Sequence, residues 1–344
     1  MKINKLLMMR LAAAAVTVAS ILIFAPWQFG LYYLSPLPLT VEEQVSEAAE
    51  QGLDGIIVYV QRADHSGEFY AAGWHDRDQK IPARPKAFFK IASIEKLYTA
   101  SAIAKLVASG RLSLDDSLAD YLPSLVGRVE HADQITLKMM VQHRSGIPNY
   151  TDQGGFSWSE MSIGVLDNLN LVLDTPADFM PGSDYSYSNT NYLLLGMIMT
   201  ETLGYPHTRY IKEEILIPLG LSRTFFSVND IDPTELMSGR HIGYDADLKE
   251  LDQGFVAAAE DVGIFLRALN DGTLLSSREQ EIYASLYEFG HTGWVLGYSS
   301  RAHYHKDIDA VVIQFVNTTG NDTVMLTGIV YDRIIEILRK RNDG

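Results

Sequence analysis

Ile91-Ala92-Ser93-Ile94-Glu95-Lys96-Leu97 is the stretch on which the chain turns. A serine and a lysine three residues apart share one face if the segment is helical. The residues beyond Lys96 have helical character: Leu97, Tyr98, Ala100, Ala102, Ile103, Ala104, Leu106 and Val107, with Gly110 as a stop. Polar positions are few, so the helix is expected to be buried on most sides. Ser93 falls in its first turn, where backbone N–H groups lack intrahelical partners. A hydroxyl placed there can act as a nucleophile. Its own N–H can help hold an oxyanion, and the Lys96 ammonium can favour an alkoxide-like attacker. The ordinary alternative is an N-cap serine beside a solvated lysine. Against it, this is the one Ser-x-x-Lys in the chain, and its lysine lies in an otherwise apolar helix, where an idle charge is costly.

The 344 residues are 47% hydrophobic, enough for one large domain or two modest ones with their own cores. The formal charge is −15, and no basic stretch is interleaved with aromatics, which excludes nucleic acid as a partner. The absence of cysteine excludes a disulfide scaffold and thiol chemistry. Lys2, Lys5 and Arg10 precede an uncharged run from Leu11 to Leu34. As a helix this run extends about 36 Å at ~1.5 Å per residue, more than a hydrocarbon core of ~30 Å. Glu42 and Glu43 come after it, so the charge bias places the N-terminus inside and the remainder outside. A cleaved signal peptide is the alternative, but Ala12-Ala13-Ala14 comes early for a cleavage site. Pro26 marks a kink or an end. The expectation is a transmembrane anchor and linker over 1–40, touching the membrane through 11–34. The rest of the chain is expected outside the cytoplasm, secreted if the segment is cleaved.

Ser35-Pro36-Leu37-Pro38 reads as an extended linker and Val41 to Gly52 as a helix. Gly55 to Val60 and Glu68 to Trp74 read as strands, and the break from Asp64 to Gly67 makes them a hairpin. The middle reads as helical: a short helix capped by Ser113, then Ile135–Gln142, Asn191–Thr202 ending at Gly204, Tyr205–Ile217, and Ala257–Leu269. Strands return at Gly293–Tyr298, Ser299–His305 and Asp309–Val316, before a last helix from Thr323 to Lys340. Strands, then helices, then strands and a helix imply an α+β domain over 41–344. Its sheet part would comprise 41–110 and 283–344, interrupted by a helical insert over 111–282.

Tyr187-Ser188-Asn189 is the one Tyr-x-Asn and lies in a loop. A tyrosine near a lysine can work as a base and an asparagine can orient an amide, although turn chemistry alone also explains such a triplet. His291-Thr292-Gly293 precedes a strand; glycine there permits close approach to a ligand. Each motif is weak by itself. Their order, on a helix start, a loop and a strand, resembles the penicillin-recognising serine hydrolases. That β-lactamase-related family includes class C β-lactamases, DD-carboxypeptidases, D-aminopeptidases and certain esterases. Connecting phrases are similar too: Gly110-Arg111-Leu112-Ser113-Leu114-Asp115-Asp116 with Tyr121-Leu122-Pro123, Ile135 through Tyr150, Pro181 through Tyr192, Ile217-Pro218-Leu219-Gly220-Leu221, and Glu260-Asp261. The resemblance covers about 43 to 335 and implies an antiparallel sheet flanked by helices, an α/β sandwich of the β-lactamase/transpeptidase type.

The resemblance implies that Ser93 attacks a carbonyl and forms an acyl-enzyme, that Lys96 and Tyr187 share the proton work with Tyr187 as general base, and that Asn189 binds the substrate amide or supports Lys96. His291 would bind a carboxylate when charged and relay a proton when neutral. Thr292 would contact the substrate beside Gly293, and the N–H groups of Ser93 and Trp294 would form the oxyanion hole. No cofactor and no metal are implied. His291 stands where β-lactamases commonly have lysine, and Trp294 is bulky where the family is usually small. His291 shifts the expectation from a dedicated β-lactamase towards a peptidase or esterase, whereas Trp294 implies a narrowed or hydrophobic cleft, which speaks against a peptide-like substrate. Glu95, two residues from Ser93, is expected to point away and support the helix dipole. His303 and His305 share a strand face without a third ligand nearby, and Glu260-Asp261 reads as a helix start. Gly-x-Ser-x-Gly and His-Glu-x-x-His are absent. The expected activity is DD-carboxypeptidase-like hydrolysis of cell-wall D-amino-acid peptides by a monomer, with peptidoglycan and β-lactams as ligands. A small-acyl esterase, a β-lactamase or a catalytically retired cell-wall receptor are the alternatives.

Overall fold

The computed structural model describes residues 5–24, 27–63, 66–158, 164–252 and 254–342. The hairpin forms as expected: β1 (Gly55–Arg62) pairs antiparallel with β2 (Glu68–Asp76), Tyr59 opposite Phe69. A short β3 (Ile81–Pro82) lies on the outer side of β2. The C-terminal strands are β4 (His291–Val295), β5 (Tyr298–His305) and β6 (Ala310–Val316). The six run β3-β2-β1-β6-β5-β4, every neighbouring pair antiparallel. The apolar runs of β1 and β6 meet in the middle, where both faces are covered, and β4 is left at an edge. Side chains alternate between two cores. Ile56, Val58 and Val60 pack with Val41, Val45 and the C-terminal helix Thr323–Asn342, whereas Ile57 and Tyr59 pack with Leu97 and Phe265 on the other face. The α+β class therefore stands.

The N-terminal expectation does not. Among the described residues no helix is long and apolar enough to cross a membrane, which overturns the spanning segment over 11–34. The run is divided between α1 (Lys5–Phe24) and α2 (Trp27–Leu34), with Pro26 outside the described residues. The apolar part of α1 from Leu11 to Phe24 extends only about 21 Å at ~1.5 Å per residue. The second part belongs to the domain. Tyr32 of α2 is buried, and its hydroxyl accepts a hydrogen bond from Gln44 of α3 (Val41–Glu50) at 2.7 Å. Arg333 of the C-terminal helix, 2% exposed, donates to the carbonyls of Tyr32, Ser35 and Pro36 and to Gln44 Oε1 at 2.7–3.0 Å. Periodicity and hydropathy could not show that one buried guanidinium ties these residues down.

Several local expectations shift. Ser117, not Ser113, caps the short helix Leu118–Tyr121, because the Asp120 carboxylate reaches back to the Ser117 N–H in a capping box. The helix expected over 205–217 runs as His207–Ile211 and then a π turn, Lys212–Leu216. Ser93 lies in a 3-10 turn, Ala92–Ile94, that leads into α4 (Glu95–Ala108). The turn is held from two sides. Phe89–Lys90 before it pairs with Val256–Ala257 in a small sheet, and Ile91 N–H donates to Phe255 O at 3.0 Å. Ala92 takes a left-handed φ of +50°. On the other side it packs on β4, where Ser300 Oγ of the neighbouring strand donates to Ile91 O at 2.9 Å. Asn189–Leu203 (α5) and Ala259–Asp271 (α6) pack beside α4 in the larger core. Asp261 accepts from Arg223 N and Thr224 Oγ1 at 2.7 and 3.0 Å, so it ties α6 to the small sheet.

A Cβ at Gly293 would lie 2.4 Å from Ile91 O and 3.0 Å from Ala92 Cβ. Gly293→Ala is therefore expected to displace the Ser93 turn and to cost about 1–3 kcal/mol by overpacking. Urea unfolding measures this; an unchanged midpoint would refute it. Arg333→Met leaves buried carbonyls unsatisfied. It should open residues 27–40 to limited proteolysis, and wild-type resistance there would show that the knot is dispensable.

Candidate active site

Ser93 Oγ receives two hydrogen bonds, from Tyr187 OH at 2.7 Å and from Lys96 Nζ at 3.2 Å. The i,i+3 spacing brings Lys96 under the hydroxyl because the 3-10 turn runs directly into α4. Lys96 is 3% exposed, so its charge depends mainly on protein groups for solvation. Its ammonium also donates to Asn189 Oδ1 at 3.0 Å and lies 5.3 Å from the ring centres of both Tyr187 and Tyr192. Asn189 opens α5, and Asn149 Oδ1 fixes it by accepting from its backbone N at 3.0 Å and its Nδ2 at 3.4 Å. The amide oxygen is thereby turned towards Lys96. Helix start and loop thus meet around one ammonium group.

The third motif lies on β4. Thr292 is exposed to the cleft, and the Trp294 side chain lines it. Gly293 permits close backbone approach to Ile91 of the protein's own chain. His291 differs from expectation. It is 7% exposed, its Nδ1 donates to Thr292 O, and its Nε2 accepts from Tyr287 OH at 2.9 Å. Burial pushes its pKa down to about 4. Both ring nitrogens are engaged within the protein, and Nε2 also lies 3.3 Å from Glu288 Oε1.

The cleft occupies about 1070 Å3, and Lys96 is the one lysine or arginine among the described residues lining it. Glu95, Glu250, Asp252 and Glu288 are the acids in its wall. Glu95 makes no bond to Ser93, as expected, yet it is more than a helix-dipole device: its carboxylate accepts from Phe255 N at 3.3 Å, and burial raises its pKa. A series of aromatic contacts spans the mouth, from Tyr150 to Phe156, Trp158 and Trp294, with ring centres 5.0–5.4 Å apart. Trp294 thus lines the cleft beside Trp158. Sequence reasoning misses Tyr150, Trp158, Asn149 and Tyr287 as site residues; the phrase ending Pro148-Asn149-Tyr150 carries the one available signal. His303 and His305 face Tyr331 of the C-terminal helix, away from this chemistry.

The arrangement can activate a hydroxyl, hold a counter-charge beside it and admit a substrate along β4. Comparison with known proteins agrees in kind. The β-lactamase family model matches residues 41–288. The chain is 31% identical over 160 residues to Protein flp of Staphylococcus aureus (strain MRSA252), covering 46% of this chain and 32% of that protein. It is 29% identical over 158 residues to a putative D-alanyl-D-alanine carboxypeptidase of Escherichia coli (strain K12), covering 44% of this chain and 36% of that one. The match spans about a third of the length of these curated relatives. In fold it is similar to the D-amino acid amidase of Ochrobactrum anthropi SV3, with TM-score 0.77, 20% identity, and coverage of 88% of this chain and 98% of that one. It is also similar to a penicillin binding protein from Bacillus halodurans, with TM-score 0.71, 21% identity, and coverage of 85% and 98%. With the family model matching most of the chain, the protein belongs to the β-lactamase family of serine hydrolases.

Proposed function

We propose that the protein hydrolyses amides and esters of D-amino acids through an acyl-enzyme on Ser93, and that it prefers acyl donors bearing an amine over those ending in a free carboxylate. The observation that carries this is His291. A carboxylate subsite needs an available cation, and His291 is buried, lowered in pKa and bonded at both nitrogens. Lys96 is committed to Ser93 and Asn189. A wall that holds acids and, among the described residues, no lysine or arginine besides Lys96 opposes a terminal carboxylate and favours an ammonium. The shared fold with a D-amino acid amidase supports the D-amino-acid class. The relative described as a putative D-alanyl-D-alanine carboxypeptidase keeps cell-wall D-alanyl peptides as the second reading.

In the proposed reaction Ser93 Oγ attacks the acyl carbon and its proton passes to the Tyr187 oxygen, 2.7 Å away, once Tyr187 has released to solvent the proton it donates to Ser93 in the resting contact. Lys96 offsets the negative charge. Tyr187 returns the proton to the leaving amine or alkoxide as the C–N or C–O bond breaks. Water then attacks the ester carbonyl, giving its proton to Tyr187, and Ser93 recovers a proton as it leaves.

Ser93→Ala should abolish turnover of p-nitrophenyl acetate and of D-phenylalanine amide, and Tyr187→Phe should lower kcat on the order of a hundredfold or more with little change in KM. Residual wild-type turnover in Ser93→Ala would exclude the acyl-enzyme. For the wild type, kcat/KM should be at least about tenfold higher for D-phenylalanine amide than for N-acetyl-D-alanyl-D-alanine, a difference of about 1.4 kcal/mol. The opposite order would favour the carboxypeptidase. The buried imidazoles also set an acid limit. Burial holds His143, His291 and His303 near 3, 4 and 4, below the ordinary 6.5. The stability they contribute is complete above pH 6.5 and is lost as pH falls towards those values, because the unfolded chain takes up protons first. The urea midpoint should decline between pH 6.5 and about 4, less steeply in His303→Gln; a flat midpoint would contradict this.

A further inference from the structure

We propose that His143 is the positioning residue that sets the orientation of Tyr187; this rests on Tyr187 being the group that takes the Ser93 proton. Tyr187 lies in an irregular segment just before α5, with no helix or strand of its own to aim it. Its hydroxyl must nevertheless hold a 2.7 Å contact. His143 grips it at three points. The backbone carbonyl of His143 accepts from Ser186 N at 3.0 Å, before the tyrosine, and its Nδ1 accepts from Ser188 N at 3.2 Å, after it. Its ring lies against the phenol between them, with ring centres 4.4 Å apart and planes inclined by 32°.

The histidine is itself held. It has a left-handed φ of +56° in the turn that closes the helix Leu137–Val141, with its N–H on Met140 O at 3.1 Å. The next residue pairs with the same tyrosine loop: Gly182 N donates to Arg144 O at 2.8 Å, and the Arg144 guanidinium donates to Gly182 O at 3.0 Å. Because a backbone N–H only donates, Nδ1 carries no proton and Nε2 carries the one of the neutral ring. That Nε2 is buried and has no partner, in a side chain 2% exposed. A mere filler would be an aromatic hydrocarbon without this cost. The orphaned N–H is what accompanies an acceptor at Nδ1. Lys96 and His291 both oppose a charge on the ring, and Tyr185, Tyr192 and Tyr287 complete its surroundings. Burial and these neighbours hold its pKa down to about 3, which favours the neutral ring that accepts at Nδ1.

The test is a double-mutant cycle with His143→Asn and Tyr187→Phe, read on p-nitrophenyl acetate and D-phenylalanine amide. Asparagine tolerates the left-handed backbone and removes the stacked ring. His143→Asn is expected to lower kcat about tenfold or more, to leave KM within about twofold, and to move the kcat–pH profile. In the Tyr187→Phe background the same change should alter kcat less than about twofold. Equal losses in both backgrounds would overturn the proposal, since His143 would then act other than through Tyr187. So would an unmoved pH profile with kcat and KM as in the wild type. A Tyr187→Phe single variant at wild-type rate would instead remove the underlying role of Tyr187. If His143→Asn fails to fold by circular dichroism, His143→Gln is read by the same criteria.

Discussion

A positive charge almost wholly enclosed by protein is the constraint on which the site depends. An ammonium as buried as Lys96 is tolerated only where protein groups replace its hydration. Here they are the Ser93 hydroxyl, the Asn189 amide oxygen and the faces of Tyr187 and Tyr192. Three of these four come from one short segment, 187–192, so solvating the lysine also docks the helical region onto the sheet. The reactive serine is part of that coordination shell. Catalytic geometry and electrostatic satisfaction are one set of contacts, and removing any member leaves a buried charge short of a partner.

The second requirement is steric. The serine turn must sit between an edge strand and a small sheet without being pushed out of line. The absence of a side chain at Gly293 lets the Ile91 carbonyl approach the strand, and the Ser300 hydroxyl fastens it there. Ala92 accepts a left-handed backbone as part of the same fit, at a cost the surrounding bonds must outweigh. The opposite side of the site is rigid for a different reason: His143, with its own left-handed backbone, stands behind the tyrosine. Strained residues on both flanks hold two oxygen atoms at a fixed separation.

The central strands and the reactive cluster are legible in the amino-acid sequence. The apolar runs at Ile56–Val60 and Ala310–Val316 read as strands because residues buried on both faces leave a continuous signal. Ser93, Lys96, Tyr187 and Asn189 stand out by spacing and uniqueness, and the fold brings them together. What stays hidden depends on contacts between distant residues. Asn149 and His143 lie inside a phrase notable only for its similarity, and their work is to hold backbone groups some forty residues away. The chemical state of His291 escapes a reading by residue type, because burial decides it. Length and hydropathy describe the apolar run at the N-terminus but are blind to Arg333, nearly three hundred residues on.

The central pairing of β1 with β6 has a kinetic consequence. Ile56 lies opposite Val316, so the two innermost strands come from opposite ends of the domain. The intervening chain must be made and gathered before they can join, and closing so long a loop delays the contacts that reward it. Until β6 arrives, the hairpin of β1 and β2 presents an unpaired apolar edge, an open template for association with other chains. The helical region can collapse early on its own local contacts, but the nucleophile turn has no edge strand to rest against until the C-terminal strands are in place. Reactivity at Ser93 therefore depends on the closure of the sheet.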